Sequence, residues 1–266
     1  LSRGAWAFHD IKLNGLPDGD EPHHMDTPWI EFHDDGTASG DYGCTAFRVK
    51  AELRASELTL AEDAGEPPAR PGPPDPYDLC TPDTDERETV TQYERQLKRF
   101  LQGPLKITKK PRTHLTNGST RANADLELKN EHGESATVTP VSFEGFFETR
   151  YRPEDYRPRD DVMSFESSGA DLYFDFRPDG VVTGKLGCNS FIAGFVFSGP
   201  HVYFHHPRLI THHTCAEYPN MKEEDMLLEH LDSHTYLYAA GREWMSLSAG
   251  YAPDSVGFRF ASLPRP

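Results

Sequence analysis

One eighteen-residue segment occurs twice in this chain. Ile30–Phe47 aligns without a gap on Phe174–Phe191, at an offset of 144 residues. Identities fall at Phe32/Phe176, Asp35/Asp179, Gly36/Gly180, Gly40/Gly184, Gly43/Gly187, Cys44/Cys188 and Phe47/Phe191. Glycine is needed where a chain turns with positive φ or passes close to another backbone. Three glycines and a cysteine at one spacing therefore imply one backbone path used twice. The order downstream repeats as well: a second cysteine (Cys80, Cys215), a helical segment, then short strands. The chain reads as a tandem duplication, one copy in residues 1–142 and the other in 143–266, with the boundary near Pro140 to Phe143.

Each copy reads as a β-meander closed by one helix, an α+β class. Leu172, Phe174 and Phe176 alternate with Tyr173 and Asp175, the period of a half-buried strand. Pro178-Asp179-Gly180 supplies the turn, and Val181 to Thr183, Phe191 to Phe197 and Val202 to Phe204 continue the sheet. Trp29 to Phe32, Ala46 to Leu53 and Leu58 to Leu60 are the matching runs of the first copy. Thr84 is placed to cap a helix whose apolar stripe is Val90, Tyr93, Leu97 and Phe100, with Gly103 ending it. In the second copy Asn220 and Glu223 resemble a capping box ahead of Leu227, Leu228 and Leu231. The helix dipole accounts for the acidic Glu223, Glu224 and Asp225. Strands follow each helix: Leu105 to Ile107, Leu126 to Leu128 and Thr137 to Thr139 in the first copy; Tyr236 to Tyr238, Met245 to Leu247 and Val256 to Phe260 in the second. Two insertions, 62–76 and 112–124, occur only in the first copy and read as surface loops.

Charge excludes one class of partner. Lys plus Arg is 27 against 43 for Asp plus Glu, a formal net charge of −16, and the one short basic run is Lys106 to Arg112. A nucleic-acid surface needs clustered cations, so no nucleic acid is expected. No apolar run approaches the roughly 18 residues that span a bilayer. The chain is expected to be monomeric, and it opens at Leu1 rather than Met.

The pattern aromatic-x-Phe, Asp-Gly, Gly, Gly-Cys-Asn, Phe, then Thr-x-x-x-Cys and an acidic helix resembles the META domain, also called the HslJ-like family. The second copy carries it closely in Gly187-Cys188-Asn189, Phe191, Thr211 and Cys215. The first departs from it: Thr45 stands where the family has Asn, and Pro76 where Thr would precede Cys80 by four residues. The resemblance implies a strongly curved antiparallel sheet or split barrel with one packed helix. It also implies a bacterial envelope or secreted protein, exported, with lipid anchoring through a removed N-terminus and a link to stress tolerance. It implies no catalytic residues.

Duplication favours within-copy disulfides, Cys44–Cys80 and Cys188–Cys215, although four cysteines allow three connectivities. Each would stabilise its copy by roughly 3–4 kcal/mol on the chain-entropy account. Thirteen histidines include the pairs His23-His24, His205-His206 and His212-His213. Adjacent strand residues face opposite ways, so a metal site would need His206 and His213 from neighbouring strands plus a carboxylate. Surface histidines are the plainer reading, and no metal or other cofactor is expected. Neither a nucleophile elbow nor a phosphate-binding glycine loop is present, so the chain is not read as an enzyme. Asn189, after Cys188 in a glycine-rich bend, is expected to hold backbone.

Aromatic residues supply the binding candidates. Phe147, Tyr151 and Tyr156 lie among Arg150, Arg152 and Arg157, and Pro71, Pro73 and Tyr77 lie in or beside the first insertion. Packing of the second copy is the competing use for these rings. Two functions follow as expectations: binding or inhibition of another envelope or secreted protein through the loops, or carriage of a small hydrophobic ligand in the mouth or interior of a curved sheet.

Overall fold

The computed structural model describes residues 4–16, 25, 27–63, 65–67, 69, 84–110, 125–141, 146–147, 149–157, 163–164, 172–213, 224, 227–231, 235–240, 244–249 and 256–263. They fall into two compact units, one on each side of the Ser142–Phe143 step.

The first unit is a closed barrel of eight antiparallel strands in sequence order. Its strands are β1 (Gly4–Lys12), β2 (Trp29–Phe32), β3 (Thr37–Asp41), β4 (Ala46–Arg54) and β5 (Glu57–Glu62), then α1 (Thr84–Leu101), β6 (Gly103–Lys110), β7 (Asp125–Lys129) and β8 (Ser135–Pro140). Closure comes from β1, which pairs with β2 on one side and with β8 on the other. Alternation points Leu58 and Leu60, Leu126 and Leu128, and Ala136 and Val138 into the interior. The expected helical stripe, Val90, Tyr93, Leu97 and Phe100, is buried in the same cluster as Trp6, Phe8, Ile30 and Leu105. Gly103 follows the helix with φ +108°, a conformation that ends helices at little cost only for glycine.

The second unit is a nine-stranded curled sheet. Its strands are β9 (Arg150–Arg157), β10 (Met163–Ser164), β11 (Tyr173–Phe176), β12 (Val181–Leu186), β13 (Asn189–Ser198), β14 (His201–Leu209), β15 (Thr235–Ala240), β16 (Trp244–Ala249) and β17 (Val256–Leu263). The last strand pairs back onto β9, so the sheet curls around its own core. That core is aromatic. Phe146, Tyr151, Phe174, Phe176, Phe191, Phe195, Phe204, Tyr236, Phe258 and Phe260 are buried together. Phe146 packs on Phe176 at 4.6 Å between centroids, and Phe174 on Phe260 at 5.1 Å. Such tilted and edge-to-face contacts add to the area these rings bury. Leu227 and Leu231, in the helical segment 227–231, join the same cluster.

Both units are thus antiparallel and strongly curved, as the resemblance implies. The first goes further than a split barrel because β1, which carries no strong period in the sequence, supplies the closing ladder on both sides. No helix among the described residues is long and apolar enough to cross a membrane.

Candidate functional site

The duplicated segment forms the same bend in each unit. In the hairpin, His33 N donates to Thr37 O at 2.9 Å and Ala51 N to Gly36 O at 2.8 Å. The residues 144 further on repeat this: Arg177 N to Val181 O at 2.9 Å and Phe195 N to Gly180 O at 2.8 Å. Gly36 and Gly180 have φ of +77° and +79°. The register also repeats, Ile30 opposite Gly40 and Gly40 opposite Phe47, then Phe174 opposite Gly184 and Gly184 opposite Phe191. A Cβ on Gly40 would lie 2.1 Å from the Trp29 carbonyl oxygen, and one on Gly184 would lie 2.0 Å from that of Tyr173. Only glycine lets the aromatic ring of Phe47 or Phe191 lie across the neighbouring strand there.

A helix glutamate holds each bend. On α1, Glu94 Oε1 accepts from Cys44 N at 2.7 Å and Thr45 N at 2.6 Å, and Oε2 accepts from the Thr45 hydroxyl at 2.8 Å. In the second unit Glu224 Oε1 accepts from Cys188 N at 3.2 Å and Asn189 N at 3.3 Å, and Oε2 accepts from Asn189 Nδ2 at 2.7 Å. Glu224 is 6% exposed. To the dipole reading of the acidic triplet the structure adds a second role for this residue: its carboxylate is turned inward onto backbone donors 35 and 36 residues away. Charge-assisted bonds of this kind are stronger than neutral ones.

The bend of the second unit is covered by residues 211–213. Asn189 is fully buried. Its amide also donates to His213 O at 3.2 Å, and its Oδ1 accepts from His213 N at 2.7 Å and the Thr211 hydroxyl at 3.2 Å. Thr211 Oγ1 in turn accepts from Ser190 N at 2.9 Å. Residues 211–213 form a strap pinned across the bend. The first unit has exposed Thr45 at the position of Asn189, and a cleft of about 440 Å³ lies there between β4–β5 and α1.

His206 and His213 are both exposed. His206 sits where β13 and β14 shift register and has φ +53°, so its place is that of a bulge residue. His213 contributes its backbone to the strap. Among the described residues no group of three His, Cys, Asp or Glu side chains is arranged to hold a metal ion.

Tyr151 is 4% exposed and stands in the core beside Phe146 and Phe176, so its ring is not offered to a partner. Phe147 is half-buried against the same cluster. Tyr156 lies on β9 opposite Phe258, and its side chain is outside the described set. Packing thus takes the first of these rings and most of the second. Pro71, Pro73, Tyr77, Cys80 and Cys215 lie outside the described residues, as do most of the insertions 62–76 and 112–124. Neither described cysteine, Cys44 or Cys188, is a free thiol.

Burial pushes the Tyr151 hydroxyl up to about 12. Burial, with Glu62 and Glu94 nearby, does the same to Tyr42, also to about 12. The folded state alone penalises these ionised forms. Their contribution to stability is complete below the ordinary tyrosine value of 10.0 and declines as pH rises from there to about 12. Unfolding titrations across that window are expected to show the decline, and Tyr151→Phe is expected to reduce it. A profile unchanged by the substitution contradicts this.

Residues 149–254 match the family model of the META domain. The chain carries a META domain. The match covers most of the second unit, including the bend, Glu224 and the strap but not β17. No curated protein matches the chain. Among solved structures, one described as the NMR structure of a protein from Burkholderia xenovorans is 16% identical, covering 48% of this chain and 92% of its own, with a TM-score of 0.38. A crystal structure of a DUF4847 family protein from Bacteroides vulgatus is 11% identical, covering 47% of this chain and 99% of its own, with a TM-score of 0.34.

Proposed function

We propose that the chain is a non-enzymatic, exported bacterial protein of two META copies, the first diverged, that binds or inhibits another protein of the envelope or secretome. A role in stress tolerance, lipid anchoring and a monomeric state belong to this reading. Support for the second copy is the bend itself, with the same hairpin bonds, the same register and a helix glutamate on the same backbone donors in both units. The finer fold class, α+β with one helix closing each sheet, goes with it, and so do the pairings Cys44–Cys80 and Cys188–Cys215.

The observation that carries the binding role is the outer face of β13–β14. Side chains fill each unit's core, while Val196 and Ile210 stand 38% and 55% exposed on that face. Ile192 lies between them in the same outward row, with Arg208 opposite it. Apolar groups beside a polar rim are the make-up of a protein-binding surface. Affinity capture from envelope extract and culture supernatant tests it. The wild-type chain is expected to retain one stoichiometric protein that the double variant Val196→Asp/Ile210→Asp loses. Equal capture by both, or none by either, removes the reading.

A second reading, carriage of a small hydrophobic ligand, is favoured by the cleft beside α1 rather than by the side-chain-filled interiors.

A further inference from the structure

We propose that the cleft between β4–β5 and α1 is a binding site for a small amphiphilic carboxylate, an inference that rests on the carrier reading and names the ligand's chemistry. Its place in the fold is the first argument. In the META domain the bend is sealed by Thr211 and His213 on Asn189. At the equivalent position in the first unit Thr45 spends its hydroxyl on Glu94. Tyr42 stands at the position of Leu186, and Arg48 at that of Ile192. The cleft beside this bend is lined with polar groups. A volume of about 440 Å³ lies within the range of small-molecule sites.

The lining divides into an apolar floor and a polar wall. Tyr42 and Phe47 stack at 4.4 Å, and Val49, Leu60 and Leu101 extend this floor. One face of α1 forms the wall through Thr91, Glu94, Arg95 and Lys98. Most charges here are already engaged. Asp63 accepts from Arg48 Nε at 2.9 Å, Glu94 is held by the bend, and Glu62 faces Lys98 at 4.0 Å. Besides the Gln102 amide, two side-chain groups of the lining have no hydrogen-bond or ion-pair partner among the described residues. They are the Arg95 guanidinium and the hydroxyl of Tyr42, a residue only 7% exposed.

Guanidinium donates only, and the Tyr42 hydroxyl keeps its proton at neutral pH, so both can donate to an incoming acceptor. Lys98, loosely paired on the surface, adds a third donor within one helical turn of Arg95. A carboxylate matches this set, and an aliphatic or aromatic body matches the floor.

Titration of the full chain with 4-phenylbutyrate and octanoate, against 4-phenylbutylamine and 4-phenylbutyramide, tests the assignment. Backbone amide shifts at Thr45, Ala61 and Lys98 locate the binding. Both carboxylates are expected to bind once per chain and the amine not at all. Arg95→Ala, at an exposed position, is expected to weaken binding about tenfold, and Tyr42→Phe, which keeps the ring stack, by about threefold. Equal binding of the neutral amide, or an Arg95→Ala chain that binds as before, overturns the carboxylate assignment and leaves the carrier reading standing. Silence across all four compounds overturns both.

Discussion

Gly184→Ala is expected to unfold or severely destabilise the META domain. The new Cβ would sit 2.0 Å from the Tyr173 carbonyl oxygen and 2.6 Å from the Phe191 ring. Neither neighbour can yield, since Tyr173 O belongs to the β11–β12 ladder and Phe191 is fully buried. Overpacking against backbone in a closed core is expected to cost about 3 kcal/mol or more. Gly40→Ala should do the same to the first unit, where the Trp29 carbonyl lies at 2.1 Å and the Phe47 ring at 2.7 Å. Gly194→Ala is the control. Its Cβ would also meet an atom at 2.0 Å, but that atom is Nε2 of exposed His205, which can swing into solvent. Its cost should stay below about 1 kcal/mol. Denaturant unfolding of the three variants reads the difference. Equal losses at Gly184 and Gly194 would mean that the backbone approach is not what fixes this glycine.

Removing the glutamate that holds the bend should come next in size. Glu224→Ala strands Cys188 N, Asn189 N and one amide proton of Asn189 around the space left by a carboxylate that is only 6% exposed. Unsatisfied buried donors of this kind are expected to cost about 3 kcal/mol together. Glu224→Gln keeps one acceptor oxygen but turns an amide toward Asn189 Nδ2, so its loss should be smaller. Glu94→Ala should cost about 1 kcal/mol, because Thr45 is exposed and water can replace the carboxylate. Unfolding curves that rank Glu94→Ala above Glu224→Ala would contradict this account of the two bends.

The sequence made some parts of this arrangement legible and hid others for physical reasons. The glycines of the bend were visible because a close backbone approach leaves no alternative residue, and two copies exposed the spacing. The stripe Val90, Tyr93, Leu97 and Phe100 was visible because its period is local. Strands β1 and β9 were not. β9 reads Arg-Tyr-Arg-Pro-Glu-Asp-Tyr-Arg, polar and interrupted by proline, and its place comes from pairing with residues about a hundred positions later. Glu94 and Glu224 were missed for a related reason. A glutamate in a helix has a sufficient local explanation in solvation or the dipole, and its partners here lie 50 and 36 residues away. Their signal was the recurrence of a helix glutamate after each Gly-Cys bend. Tyr151 was set among arginines in the sequence, yet alternation along β9 turns Tyr151 and Pro153 inward and leaves Arg152 exposed.

The central claim is that one cysteine-bearing fold is used twice in an oxidising compartment. Peptide mapping of the intact, unreduced protein, with thiols blocked in denaturant, tests it most directly. Two linked fragments are predicted, one joining Cys44 to Cys80 and the other Cys188 to Cys215, with no blocked thiol. Four blocked thiols, or a link between a cysteine of the first unit and one of the second, would contradict it.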